Sequence, residues 1–313
     1  DIVRRLARTA DVVMCNYRPG VLERLGLGYA ALREDNPGLI FVAVSGFGPD
    51  GPYAGQPVYD LVIQGMSGTM DIQGNDGPPQ MIRSVIADKA TAIAAASAAL
   101  AALLARERNG GKGQLVDVPM VNAYAQLTLP DVMTGDAFRP RETAPGQIPD
   151  IFHVWSCADG YLVGMPIEDR QFSNLCRALK LEHLSEDARF AGLGARLHNS
   201  QAMIALIDEA LSHWPWRDAL AALREHDVPF APVYDLEDFM ADPQVQHNRT
   251  IFDAEDPRGG VTRFVRHPAV YETTPATLRR HPPRYGEHTQ EILLDAGFSE
   301  TEIARLRESG AVA

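Results

Sequence analysis

Cysteine and basic residues are scarce in this chain, and each shortage argues against a class of protein. The three cysteines, Cys15, Cys157 and Cys176, lie far apart and form no CxxC pair. We therefore expect no disulfide framework, and we expect a cytoplasmic location. Lysines and arginines number 29 against 41 aspartates and glutamates, for a formal charge of −12. This excess of acid argues against nucleic acid or an anionic membrane as the main partner, but leaves room for a local basic pocket.

Several motifs with well-defined chemistry are also missing. The chain contains no P-loop, no HExxH and no GxSxG, and its nine histidines stand at no metal-ligand spacing from cysteines or carboxylates. We therefore expect no metal site and no serine-hydrolase triad. We also expect no signal peptide and no membrane span. The one candidate span, the alanine-rich run after Asp88, is interpreted as too short and too rich in alanine to cross a bilayer.

The first third of the chain alternates between helical and strand patterns. The run "LIFVAVSGFG" (39–48) is continuous, β-branched and aromatic, as in a strand covered on both faces. The runs "DVVMCN" and "GKGQLVDVPM" predict further strands, and residues 84–87 predict a short strand leading into a helix that carries Asp88. This rhythm predicts a parallel α/β layer.

Changes in composition divide the chain. Residues 126–148 are rich in turn formers and residues 241–268 mix Pro, Asp, Gly and Arg, so we interpret both stretches as linkers. They separate three regions, residues 1–125, 149–240 and 269–313.

The middle region predicts a smaller α+β domain, and the last region predicts two helices. In the middle region a β-hairpin, with strands joined by Ala-Asp-Gly, precedes several helical patterns. In the last region Ser299 and Glu302 form the capping box of the second helix.

A glycine-rich loop follows the clearest strand. Gly46, Gly48 and Gly51 match GxGxxG, the dinucleotide-binding pattern, which requires a helix directly after the glycines. Pro49 and Pro52 make such a helix unfavourable. We therefore interpret the segment as a loop over a pocket rather than as a nicotinamide dinucleotide site.

Asn16, Tyr17 and Arg18 stand where a predicted strand ends, and Arg24 follows in a short predicted helix. Ligands bind at the carboxyl edge of parallel sheets, where an amide, an aromatic ring and two arginines could hold a base and phosphates. The alternative is an ordinary turn with solvated arginines.

Asp88 has two interpretations. Aspartate is a favoured N-cap, and helix N-termini favour carboxylates. A carboxylate there could also attack an activated carbonyl, with backbone N–H groups of the next turn and nearby glycines stabilising the oxyanion.

Taken together and in order, these segments resemble the family III CoA-transferases, a superfamily that includes formyl-CoA transferase, carnitine CoA-transferase and α-methylacyl-CoA racemase. The resemblance rests on residues 10–68, on "IAD" before a helix of small residues, and on "NGGKGQLVDVPM", "FAPVYDLEDFMADPQV" and "GEHTQEIL". It covers essentially the whole chain.

The resemblance implies CoA transfer from an acyl-CoA to a carboxylic acid through a thioester between CoA and an aspartate. The catalytic aspartate of the family falls on Asp88. Its CoA-binding residues fall on Asn16, Tyr17, Arg18 and Arg24.

A further CoA segment of the family falls on Val58, Tyr59 and Asp60, and its glycine loop falls on Gly46–Gly51. Acyl-CoA is implied as a substrate, with no permanently bound cofactor. Racemases of the same fold carry a His-Asp pair at the position of Tyr59 and Asp60. Tyrosine, with a reference pKa near 10, is a poor base at neutral pH, so transfer is favoured over racemisation.

The resemblance also implies an architecture. A large Rossmann-like domain is formed by both chain ends, here residues 1–125 and 269–313, and two subunits form an interlocked homodimer. Family members begin roughly seventy to eighty residues earlier, with a strand and helix that contribute to the CoA site. We therefore expect this chain to be a fragment, and an inactive remnant stays an alternative beside the transferase and the racemase.

Overall fold

The computed structural model describes residues 1–74, 77–133 and 152–313. The chain divides into two compact units. The larger unit comprises residues 1–146 and 283–313, from both ends of the chain, and the smaller unit is the continuous stretch 147–282.

Helices and strands alternate along the first part of the larger unit. In chain order they are α1 (Ile2–Thr9), β1 (Val12–Cys15), α2 (Val21–Arg24), α3 (Tyr29–Asp35), β2 (Ile40–Ser45), α4 (Asp60–Met66), α5 (Thr69–Gly74), α6 (Ile86–Arg108), β3 (Leu115–Pro119) and α7 (Met120–Val132). The three strands fall in the three strongest predicted runs.

The three strands form a parallel sheet in the order β1-β2-β3. The first ladder aligns Val12 with Ile40. The side chains of the central strand β2 alternate between two cores. Ile40 and Val42 pack towards α6, whereas Phe41 packs with Leu32 of α3. Burial on both faces explains why this strand is an unbroken apolar run.

Helix α6 packs against the sheet through alanines. Ala95, Ala99 and Ala102 form one core with Ile40 and Val42. Alanine has the highest helix propensity and loses no rotamer freedom on burial. A face of small side chains lets this 23-residue helix lie close to the strands.

Polar contacts fix the carboxyl end of α6. Arg106 donates to the carbonyl of Gly38 at 3.1 Å and to the Asp11 carboxylate at 2.8 Å. In the following turn, a Cβ on Gly113 would lie 2.0 Å from the carbonyl oxygen of Leu39. Only glycine fits there without moving the backbone.

The start of α6 differs from the prediction. Residues 84–87 form no strand, since α6 begins at Ile86 with Val85 as its N-cap. A short apolar run cannot by itself distinguish a strand from a buried helical turn. Asp88 is therefore the third residue of the helix rather than its cap. It still lies in the first turn, where the helix dipole favours a negative charge.

The length of α6 also corrects the expectation that this segment is too short to cross a bilayer. Within residues 1–74, 77–133 and 152–313, it is the one helix long and apolar enough to span a membrane. A single helix of this kind is weak evidence for a span, because core helices of soluble proteins also meet these criteria.

The smaller unit combines short strands with helices. Its elements are β4 (Val154–Ser156), β5 (Tyr161–Gly164), α8 (Asp169–Ala178), α9 (Glu182–Ser185), a 3-10 turn (Ala188–Phe190), α10 (Leu193–His198), α11 (Ser200–Leu211), α12 (Trp216–Glu225), β6 (Phe230–Pro232), α13 (Leu236–Ala241), α14 (Pro243–Asn248), β7 (Ile251–Glu255) and β8 (Val261–Val265). The predicted hairpin is present as the antiparallel pair β4 and β5, which β6 extends. Trp155, Leu175 and Ile207 lie in the core of this unit.

The two predicted linkers differ in what they contain. Residues 241–268 carry α14 and the antiparallel hairpin of β7 and β8, so this stretch is regular structure within the smaller unit. Residues 126–132 belong to α7. The rest of the first linker, apart from residue 133, lies outside the described residues.

Two final helices, α15 (Thr289–Asp295) and α16 (Glu300–Glu308), return to the larger unit. Arg5 of α1 donates to the carbonyl of Gly297 at 3.1 Å, and its guanidinium lies 4.1 Å from the ring centre of Phe298. The predicted capping box is confirmed, with Ser299 and Glu302 each bonded to the other's backbone N–H. The fold is thus the expected one, with a large α/β domain built from both chain ends.

Candidate active site

A cavity of about 760 Å³ opens where β1 and β2 end. Cys15 and Asn16 line it at the end of β1, Ser45 and Gly46 at the end of β2, and Met120 at the start of α7. Parallel α/β sheets bind ligands at this edge, and the volume is typical of a site for a small molecule or cofactor.

The cavity brings together residues that are far apart in sequence. Seven of the residues singled out in the sequence line it: Asn16, Tyr17, Arg18, Gly46, Val58, Tyr59 and Asp88. They come from the turn after β1, the end of β2, the segment before α4 and the first turn of α6. One surface therefore combines a carboxylate, an amide, a cation and two phenol rings.

Four other residues singled out in the sequence do not line the cavity: Arg24, Gly48, Gly51 and Asp60. Gly48 and Gly51 have positive φ angles of +108° and +89°, a conformation that favours glycine. They shape the loop rather than face the ligand space. The next helix begins only at Asp60, so the arrangement required for a dinucleotide-binding glycine motif is absent from this loop.

Asp60 lies beneath the cavity. Its side chain is buried, and its Oδ2 accepts a hydrogen bond from the backbone N–H of Asp88 at 3.0 Å. An N-cap side chain usually accepts from the N–H of the second or third helical residue. Val85 has no side-chain oxygen, so Asp60 on α4 accepts this hydrogen bond in its place.

This contact bears on the chemistry of Asp88. The cavity walls partly desolvate the carboxyl of Asp88 and raise its pKa, and the negative charge of Asp60 raises that pKa further. The backbone N–H of Asp88 is already bonded to Asp60. This N–H group is therefore not free to stabilise an oxyanion.

The cations near the cavity are exposed. Arg18 and Arg24 both face solvent, and neither forms an ion pair with a described residue. Tyr59, at the N-cap of α4, has 81% of its surface exposed. One guanidinium group, that of Arg18, and the two phenol rings on the same cavity wall suit a ligand that carries phosphates and a base.

Sequence reasoning missed Gln64. Its amide Nε2 donates to Asp60 Oδ1 at 2.6 Å and to the Ser84 carbonyl at 3.0 Å. The signal was available in the i,i+4 spacing of Asp60 and Gln64 on one helix.

The described part of the chain contains no group of three or more His, Cys, Asp or Glu side chains that could hold a metal ion.

Comparison with known proteins identifies the family of this chain. The model of CoA-transferase family III matches residues 1–289. The succinate–glutarate CoA-transferase of Agrobacterium fabrum is 36% identical over 301 residues, which are 94% of this chain and 74% of that protein. The formyl-CoA:oxalate CoA-transferase of Streptomyces coelicolor is 29% identical, covering 100% of this chain and 80% of that protein.

Solved structures agree. A CAIB/BAIF family protein from Brucella suis superposes with a TM-score of 0.77 and 33% identity, over 94% of this chain and 78% of that one. The protein Rv3272 from Mycobacterium tuberculosis does so with a TM-score of 0.81 and 29% identity, over 93% and 79%. The chain therefore belongs to CoA-transferase family III and is a CoA-transferase.

Proposed function

We propose that this enzyme moves CoA between carboxylic acids through a covalent thioester on Asp88. The observation that carries the proposal is the position of Asp88 in the first turn of α6, on the wall of a cavity that also presents Asn16, Tyr17 and Arg18. The carboxylate is the only acidic side chain among the described residues of that wall.

The reaction balances in four steps. A carboxylate oxygen of Asp88 attacks the donor thioester carbonyl, the carbon–sulfur bond breaks, and a mixed anhydride and CoA thiolate result. The thiolate attacks the Asp88 carbonyl carbon and releases the donor acid, leaving the aspartyl-CoA thioester. The acceptor carboxylate attacks that thioester and expels the thiolate again. The thiolate then attacks the acceptor's acyl carbon, which yields the new acyl-CoA and free Asp88.

The acid substrates proposed are short dicarboxylic acids, with succinyl-CoA as donor. Support comes from the relatives, which include succinyl-CoA:glutarate CoA-transferase of Homo sapiens at 29% identity and succinyl-CoA–D-citramalate CoA-transferase of Chloroflexus aurantiacus at 32%. Three formyl-CoA:oxalate CoA-transferases match at 26% to 29% identity, below the 36% of the succinate–glutarate enzyme. We further propose a cytoplasmic homodimer, on the basis of family resemblance and the absence of paired cysteines.

Replacing the nucleophile tests the mechanism. We expect Asp88→Asn to lower kcat for CoA exchange between succinyl-CoA and glutarate by about 10³-fold or more, because no carboxylate remains to form the anhydride. Mass spectrometry of the unmodified enzyme with succinyl-CoA should find CoA on Asp88, sensitive to hydroxylamine. The matched control is Asp218→Asn, the same change in the exposed first turn of α12, which should leave exchange intact.

Exchange at an undiminished rate in Asp88→Asn would contradict the proposal. Racemisation would show itself differently, by deuterium entering the α-carbon of an acyl-CoA when no acceptor acid is present. Tyr59 in place of a histidine base weighs against that outcome.

A further inference from the structure

Gln64 is a buried amide whose donors and acceptor are all occupied. Only 1% of its surface is exposed. Its Nε2 donates to Asp60 Oδ1 at 2.6 Å and to the Ser84 carbonyl at 3.0 Å, with a longer contact of 3.4 Å to the Ile82 carbonyl. Its Oε1 accepts from the Ile82 N–H at 3.1 Å. One side chain thus holds both Asp60 and the segment that leads into α6.

The other oxygen of Asp60 extends this connection to the nucleophile. Asp60 Oδ2 accepts from the backbone N–H of Asp88 at 3.0 Å, a charge-assisted bond. Asp60 is 4% exposed and has no ion-pair partner among the described residues. Among the described residues, its carboxylate accepts hydrogen bonds from the Gln64 amide and from the backbone N–H of Asp88.

A buried carboxylate that loses a donor becomes costly, because its desolvation is no longer compensated. Without the Gln64 amide, Asp60 would have to turn away or take up a proton. Either change weakens the bond that fixes the Asp88 peptide. The loss of the bonds to Ile82 and Ser84 would also release residues 82–84, the segment that leads into α6.

We propose that Gln64 is a positioning residue for CoA transfer, which holds Asp60 and residues 82–84 so that Asp88 is presented in one orientation. The proposal rests on Asp88 being the nucleophile. Gln64 does not line the cavity, so it acts through Asp60 and not on the substrate.

A charge placed at Gln64 makes this role measurable. In Gln64→Glu, two carboxyl groups face each other. While the pair holds one proton, the hydrogen bond between residues 60 and 64 can be kept, although the bond to the Ser84 carbonyl is lost. When both groups are ionised, they repel each other. We expect the ratio of the variant's kcat to that of the unmodified enzyme to fall by about tenfold or more between about pH 5 and about pH 8. The KM for succinyl-CoA should stay within about twofold, because the cavity wall is untouched.

Other ionisable groups could contribute to such a profile. The segment and helices packed against α4 carry Arg83, Asp88 and Lys89, with Asp71 on α5 and Tyr124 on α7. All are unchanged in the variant, so only the new carboxyl distinguishes the two profiles. Gln201→Glu is the matched control, because it makes the same charge change at an exposed position of α11 and should leave the profile unchanged.

The outcomes separate cleanly. A Gln64→Glu profile parallel to that of the unmodified enzyme overturns the positioning role and leaves the Asp88 mechanism standing. Absence of CoA on Asp88 in the unmodified enzyme overturns both. If Gln64→Glu unfolds at neutral pH, a second variant, Gln64→Leu, tests the positioning role at a single pH. The positioning role requires a lower kcat per folded molecule in this variant. A lower melting temperature with an unchanged kcat would refute it.

Discussion

Two carboxylates meet at the start of α6, and only one of them faces the cavity. Asp88 lines the cavity, and Asp60 lies buried behind it with an oxygen bonded to the Asp88 peptide. As the proposed nucleophile, Asp88 has to be ionised to attack, yet desolvation and the charge of Asp60 both raise its pKa. The low-pH side of the activity profile therefore reports on this pair.

Removing the charge of Asp60 should shift the low-pH side of the activity profile. We expect Asp60→Asn to move the acid limb of kcat/KM for succinyl-CoA to lower pH, since losing a neighbouring negative charge lowers the pKa of Asp88. The shift is partial, because desolvation, the larger cause, remains. Rates measured from about pH 4 to about pH 7 would show it. An unchanged or upward-shifted limb would contradict the assignment of Asp88 as the group that titrates.

For single residues, the sequence predicted those that line the cavity better than the buried residues that bond to them. Asn16, Tyr17 and Asp88 were found because motifs in order identify positions even where each motif is weak. Asp60 was expected to touch CoA, and its burial could not be read from a Tyr-Asp pair. Gln64 was overlooked although it stands at i,i+4 from Asp60, because only the charged member of that pair was considered.

The elements around the site are fixed by close backbone approaches as well as by apolar packing. Gly113 precedes β3, and Gly46 follows β2 with its α-carbon close to Val58, whose Cγ1 would lie 2.3 Å from a Cβ added there. Both glycines have ordinary φ angles, so space rather than conformation demands them.

Substitution of Gly113 should therefore destabilise the sheet. We expect Gly113→Ala to lower the free energy of unfolding by about 1–3 kcal/mol, because its Cβ would lie 2.0 Å from the Leu39 carbonyl oxygen. Urea unfolding followed by circular dichroism measures this. Gly194→Ala, where the added Cβ meets nothing within 4 Å inside α10, is the control and should leave stability equal or higher. Equal losses in the two variants would refute the steric argument.

Among the elements, strands that are long apolar runs and helices that end at turn-forming residues could be predicted from the sequence. The strand expected at residues 84–87 was wrong because tertiary contacts decide such short runs. Gln64 on α4 bonds to Ser84 within this segment, and Asp60 on α4 bonds to the N–H of Asp88 directly after it. The pattern of residues 84–87 alone carries no information about these contacts.

The whole molecule consists of one discontinuous unit and one continuous unit. The smaller unit has its own core, and all three tryptophans, Trp155, Trp214 and Trp216, lie in it. The two ends of the chain meet in the larger unit through α1, α15 and α16. The return of the C-terminal helices to the first domain followed from family resemblance, because composition alone carries no information on which distant segments pack together.

A continuous unit with its own core should fold alone. We expect residues 147–282, produced separately, to unfold cooperatively and to show blue-shifted tryptophan emission, because Trp155 is only 2% exposed. Fluorescence during urea unfolding measures this. Leu175→Asp within the same piece should abolish the transition, since it buries an unpaired charge in the core. Non-cooperative emission typical of solvated tryptophan in the unmodified piece would show that it depends on the rest of the chain.

The alanine face of α6 has a consequence for how such an enzyme can diverge. Ala95, Ala99 and Ala102 lie against β2, and any larger side chain there would push the helix, and the aspartate at its first turn, away from the strand ends. We therefore expect substitutions by larger residues to be excluded at these three alanines. We expect changes in acid preference to arise instead at exposed positions on the cavity wall, such as Tyr17 and Tyr59, with the proposed nucleophile left in place.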